Sequence, residues 1–106
     1  MRARPREVHF LKDGGVSEWL DVLERKDTAA YDAMIARLDR VEDGNFGDCG
    51  SVGGGVSELR FMMTGPGYRI YFGEHDDMVI LLRAGTKKTQ RADIAAAQGL
   101  WREYNA

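Results

Sequence analysis

Two arginines interrupt segments whose alternation otherwise reads as half-buried strand. Arg60 lies within residues 56–63 (VSELRFMM) and Arg69 within residues 68–73 (YRIYFG). A second set of cations follows: Arg83, Lys87, Lys88 and Arg91 fall within nine residues that contain no acid. A guanidinium holds a phosphate through two parallel hydrogen bonds, and a lysine adds a compact point charge. The set therefore has the chemistry to bind a polyanion, RNA foremost. The whole chain carries a formal net charge of −2, which argues against a generally basic nucleic-acid binder. Its distribution says more: residues 1–55 hold 8 Lys+Arg against 11 Asp+Glu, and residues 56–106 hold 7 against 6.

Other chemistries find little support. Cys49 is the one cysteine, so no internal disulfide framework can form. His9 and His75 stand far apart and in no ligand spacing, which speaks against zinc and leaves no cofactor to expect. The glycine-rich run 45–55 (NFGDCGSVGGG) lacks the Gly-Lys-Ser/Thr ending of a phosphate-cradling loop. Cys49, within that run, has no base nearby in sequence to make it a nucleophile. The basic start Met1-Arg2-Ala3-Arg4-Pro5-Arg6 precedes no apolar run of signal length, and the longest apolar stretch, 78–82, has five residues. That is too short to cross a membrane, and the expectation is a cytoplasmic protein.

The elements that must position these residues can be read from periodicity. At 106 residues the chain reads as one domain, residues 1–106. Residues 7–11 form a first strand, closed by Asp13-Gly14-Gly15. Ser17 is a cap candidate for a helix over 17–25, with Val16, Trp19, Leu20 and Leu23 at helical spacing. Asp27 or Thr28 caps a second helix, whose stripe Ala30, Met34, Leu38 and Val41 runs to about Glu42 and stops at Asp43-Gly44. Residues 45–55 read as an irregular loop. Three strands follow, at 56–63, 68–73 and 78–84, the last apolar enough for burial on both faces. A final helix over about 91–104 carries Ile94, Ala97, Trp101 and Tyr104 on one stripe. The order is β-α-α-β-β-β-α: an α+β fold with a mainly antiparallel sheet and helices packed on one side.

Register decides whether the arginines meet. The connection Thr64-Gly65-Pro66-Gly67 suits a hairpin of two or four loop residues, which sets Met63 opposite Tyr68. Arg60 then pairs with Tyr71, and Met62 with Arg69. Paired residues share a face, so Arg60, Met62, Arg69 and Tyr71 form one patch while Leu59, Phe61, Ile70 and Phe72 line the core.

Several strings resemble the RelE/ParE superfamily of bacterial toxins, most closely the HigB-like branch described as addiction-module killer proteins. They are Glu58-Leu59-Arg60, Gly65-Pro66-Gly67-Tyr68-Arg69-Ile70-Tyr71-Phe72, Ile80-Leu81-Leu82, Gly85-Thr86-Lys87-Lys88-Thr89-Gln90, and Asp93-Ile94 with Ala97. The likeness is strong over the C-terminal half and is carried by element order over residues 1–44. It implies a RelE-like fold and the toxin of a type II toxin-antitoxin module, held inactive by a cognate antitoxin. It further implies a metal-independent endoribonuclease acting on messenger RNA at the ribosome, with operator DNA reached only through the antitoxin complex. By the same resemblance Arg69, Arg60 and Lys87 or Lys88 are the catalytic cations. Asp93 stands where RelE has a tyrosine.

RNA supplies its own nucleophile, the 2′-OH, so cleavage calls for activation of that hydroxyl, stabilisation of the phosphorane charge and protonation of the 5′-oxygen. Fixed cations aimed at the developing charge can supply much of this. Arg69 suits a bidentate hold on the scissile phosphate. Lys87 or Lys88 suits the transition-state charge, or the base role if neighbouring cations lower its pKa. Tyr71 can stack on a base or relay a proton, and Arg83, Lys88 and Arg91 can hold flanking phosphates. Two rivals share the likeness: a ParE-like toxin that inhibits DNA gyrase by protein contact, and a non-catalytic member that only binds its partner.

Overall fold

The computed structural model describes residues 4–62 and 65–106. The expectations for Met1, Arg2, Ala3, Met63 and Thr64 lie outside the described residues. Strand β1 (Glu7–Phe10) leads through a 3-10 turn to helices α1 (Val16–Lys26) and α2 (Thr28–Glu42). Strands β2 (Cys49–Gly53), β3 (Val56–Phe61), β4 (Tyr68–His75) and β5 (Met78–Gly85) follow, then a second 3-10 turn (Lys87–Thr89) and helix α3 (Gln90–Tyr104). The five strands form one sheet in the order β1-β5-β4-β3-β2. All neighbours are antiparallel except β1 and β5, so the fold is α+β with a mixed sheet.

The helices form where the stripes require them. Val16, Leu20 and Leu23 of α1 and Ala30, Met34, Leu38 and Val41 of α2 are buried. Asp27, not Thr28, caps α2, since its carboxylate accepts the Ala30 N–H at 3.1 Å. Ser17 does not cap α1; the helix starts one residue earlier, after Gly15 at φ 75°, with no side-chain cap.

The sheet is covered on both faces, where the sequence pointed to one. Helices α1 and α2 pack on Leu59, Phe61, Ile70, Phe72 and Leu81. Helix α3 packs its Ala97 and Trp101 on Val56, Tyr71, Ile80 and Leu82 of the opposite face. The central strands are apolar on both sides, so leaving the second face open would expose tyrosine, isoleucine and leucine to water. Gly73 makes the approach of α3 possible: a Cβ there would lie 2.6 Å from the Trp101 ring.

The glycine-rich run is not wholly irregular either. Cys49–Gly53 pairs with β3, with a register shift between Ser51 and Gly53. Low strand propensity is overruled here because the free edge of β3 offers backbone groups that need partners. Arg37 of α2 ties the segment down. It donates to the carbonyls of Phe46, Asp48 and Arg60, each at 2.9 Å, and lies over the Phe61 ring.

The β3–β4 register differs by two residues from the expected one. Phe61 faces Tyr68, Arg60 faces Arg69, and Glu58 faces Tyr71. The strands end earlier and the connection, residues 62–67, is longer than a two- or four-residue hairpin. It contains Gly65 and Gly67 at positive φ. Its residue number stays even, so the two faces keep their membership although the partners change.

Candidate functional site

Glu58 and Arg60 of β3, Arg69 and Tyr71 of β4 and Arg83 of β5 share the face that α3 covers. Arg60 pairs with Arg69 and Tyr71 with Arg83, while a bulge at Leu82 keeps Arg83 in register with that face. The first turn of α3 closes over this end of the sheet. Gly85 lies directly beneath it: a Cβ there would collide with the carboxylate of Asp93 and the hydroxyl of Thr89.

Three charged residues here are buried: Glu58 at 4%, Arg69 at 2% and Asp93 at 4% exposure. Burial of charge is tolerable only with partners, and the carboxylates supply them. Glu58 accepts from Arg60 at 3.2 Å and from the Gln90 amide at 3.1 and 3.4 Å. It also lies 3.5 Å from Arg69 Nε, an ion pair in which Nε makes no hydrogen bond among the described residues. Asp93 accepts from Arg83 Nε at 3.1 Å and from the Thr89 hydroxyl at 2.6 Å. Arg60 reaches out further to Asp48 at 3.0 Å, and its hydrogen bonds to Asp48 and Glu58 raise its pKa.

Tyr71 sits at the centre of the cluster with 0% exposure, and its hydroxyl has no hydrogen-bond partner among the described residues. Burial, and then the charges of Glu58 and Asp93, push its pKa up to about 12, with Arg69 opposing. Its ring offers no open face for a nucleobase. Its hydroxyl has no neighbour among the described residues to pass a proton to, so this position supports neither of the two roles read for Tyr71 from the sequence.

The lysines occupy the rim. Thr86 and Thr89 cap the 3-10 turn reciprocally, fixing the backbone of Lys87 and Lys88. Lys87 N–H reaches the Pro66 carbonyl at 3.4 Å, so this loop meets the β3–β4 connection. Between them lies Gly67, where a Cβ would be 3.1 Å from Arg69 Nη1 and 3.3 Å from Lys87 Cβ. Arg69 donates from Nη1 to the Gly67 carbonyl at 2.7 Å and places Nη2 3.7 Å from Met62 Sδ. Arg69 and Lys87, eighteen positions apart, are thus adjacent across one glycine. Lys87, Lys88 and Arg91 are exposed. Among the described residues they enter no ion pair.

The structure therefore gathers Arg60, Arg69, Tyr71 and Arg83 on one face and sets Lys87 beside Arg69, with Lys88 and Arg91 following along the exposed rim. Glu58, Gln90 and Thr89 went unassigned from sequence. Glu58 carried a signal: it alternates with Arg60 on one strand face, and cations gathered on one face call for an anion. Among the described residues, no group of three or more His, Cys, Asp or Glu is placed to hold a metal ion. No helix among them is long and apolar enough to cross a membrane.

Residues 18–100, from α1 to α3 and including every residue of this cluster, match the family described as phage-derived protein Gp49-like (DUF891). The chain belongs to the Gp49-like family. This is a toxin-antitoxin-associated family related to RelE-like toxins. A relative from Haemophilus influenzae (strain ATCC 51907 / DSM 11121 / KW20 / Rd), named only as an uncharacterized protein, is 43% identical over 86 residues, covering 80% of this chain and 84% of its own. No solved structure matches.

Proposed function

We propose that this Gp49-like protein is the toxin of a type II module of the HigB kind and cleaves messenger RNA, acting in the cytoplasm on ribosome-bound transcripts until a cognate antitoxin neutralises it. The observation that carries this reading is the junction at Gly67, where Arg69 Nη1 comes close to the Lys87 side chain on the lysine rim. A phosphate drawn to exposed Lys87, Lys88 and Arg91 arrives next to a guanidinium that is already oriented. The substrate brings the 2′-OH nucleophile, and the cations meet the charge that grows on the phosphorane. Preorganised cations cost no reorganisation at the moment of reaction. The chemistry then needs no metal, so cleavage should persist in EDTA.

The gyrase reading has one observation in its favour. Asp93 is buried and committed to Arg83 and Thr89, so the start of α3 presents no free proton donor where RelE has its tyrosine. Primer extension on ribosome-associated mRNA after induction separates the two. The nuclease reading requires new 5′ ends with wild type that fade with Lys87→Ala/Lys88→Ala. Intact mRNA together with gyrase-linked DNA breaks would transfer the case to the rival. The lysine variant suits this test because both residues are exposed and the fold does not depend on them.

A further inference from the structure

We propose that Glu58 is the positioning residue of this site, the anion that aims Arg69 toward the lysine rim and holds Arg60 clear of it. The inference rests on the endoribonuclease reading above. Arg60 and Arg69 are direct cross-strand partners, and like charges so placed repel. Glu58 stands two residues before Arg60 on the same face. One of its oxygens takes Arg60 Nη1 at 3.2 Å; the other lies 3.5 Å from Arg69 Nε. A single carboxylate thereby separates the two guanidiniums.

Its effect on Arg69 is directional. Glu58 lies 3.5 Å from Nε as an ion pair without a hydrogen bond, while Nη1 donates to the Gly67 carbonyl and Nη2 lies near Met62 Sδ. Lys87 approaches on the Nη1 side. The Gln90 amide, donating to both Glu58 oxygens, ties the carboxylate to the first residue of α3. Glu58 is therefore held from β3, β4 and α3 at once. The same contacts rule it out as the base in this arrangement, since both oxygens already accept from donors and neither faces solvent.

The test uses the whole chain: wild type, Glu58→Gln, Glu58→Asp, Arg69→Lys and the Glu58→Gln/Arg69→Lys double variant. Cleavage of an unstructured RNA oligonucleotide and of ribosome-bound mRNA is followed alongside Tm. Glu58→Gln should lower kcat by roughly 10- to 100-fold, the scale of a misplaced reacting group. KM should change less than about twofold, because the exposed lysines still capture the strand. Glu58→Asp should recover part of kcat, and the double variant should be no slower than Arg69→Lys, as expected if Glu58 acts through Arg69. Glu58→Gln with wild-type kcat, or losses that simply multiply in the double variant, would overturn the proposal. The arginine Nε–H signals in a ¹H–¹⁵N spectrum decide the point without catalysis. The Arg69 signal should move in Glu58→Gln, and an unmoved signal also overturns the proposal. If wild type cleaves no RNA while that signal moves, the endoribonuclease reading fails and the aiming of Arg69 by Glu58 stands.

Discussion

Replacing Tyr71 with phenylalanine should stabilise the protein, and the gain should grow in alkali. The hydroxyl is fully enclosed and has no partner among the described residues. Burying an unpaired hydroxyl costs about 1–3 kcal/mol in protein mutational series, and phenylalanine keeps the ring that packs under α3. At pH 8 the variant should therefore be more stable by about 1 kcal/mol, a rise in Tm of roughly 4–8 °C for a domain near this size. The pH dependence follows from the raised pKa. Tyr71 ionises near the ordinary value of 10 when unfolded and near about 12 when folded. Below pH 10 both states are neutral and the group adds no slope. Between pH 10 and 12 the unfolded state releases its proton first, so wild-type stability falls. Linkage puts that loss at about 1.4 kcal/mol at pH 11 and up to about 2.7 kcal/mol well above pH 12. The variant lacks this contribution, so the difference between the two proteins should widen from pH 8 to pH 11. Urea denaturation at both pH values measures it. A variant that is less stable at pH 8, or a difference that stays constant with pH, would refute the reasoning and show that the hydroxyl is satisfied.

Three further outcomes are expected. Gly85→Ala should cost at least about 2 kcal/mol by denaturation, because the new methyl must displace the buried Asp93 carboxylate and the start of α3; a loss below about 0.5 kcal/mol would mean that α3 shifts freely. Asp27→Ala should cost about 1 kcal/mol through the lost cap on the Ala30 N–H, and an unchanged Tm would show that the cap contributes nothing. Lys87→Ala/Lys88→Ala should weaken binding to single-stranded RNA and flatten the slope of log affinity against log salt by about 1.4, at about 0.7 per phosphate contact; an unaltered slope would remove both lysines from the interface.

Much of this was legible in the order of residues because the relevant signals are local. The helical stripes of α1, α2 and α3 and the strand alternation follow from a repeat of a few residues, so Arg60, Arg69 and Tyr71 can be assigned to one face without knowing what covers it. The basic stretch 83–91 announces itself by charge. Glu58 could have been assigned with them, since the same alternation places it beside Arg60. The glycine-rich run misled for an equally physical reason: its own propensity is poor, and the partner that makes Cys49–Gly53 a strand lies elsewhere in the fold.

The sequence by itself determined which side chains of β3 and β4 point the same way, since the pleat there alternates every two residues whatever the register; on β5 the bulge at Leu82 breaks that alternation. Tertiary structure alone decided who meets whom. The six-residue connection set Arg60 against Arg69 rather than Tyr71, and the apolar second face drew α3 across it. That closure buried Arg69 with Glu58 and left the lysines outside. These outcomes depend on contacts between distant segments and on the exclusion of water between them. No local pattern encodes either, which is why two arginines read from the chain as an open phosphate platform became, once folded, one enclosed and one half-buried guanidinium separated by one carboxylate.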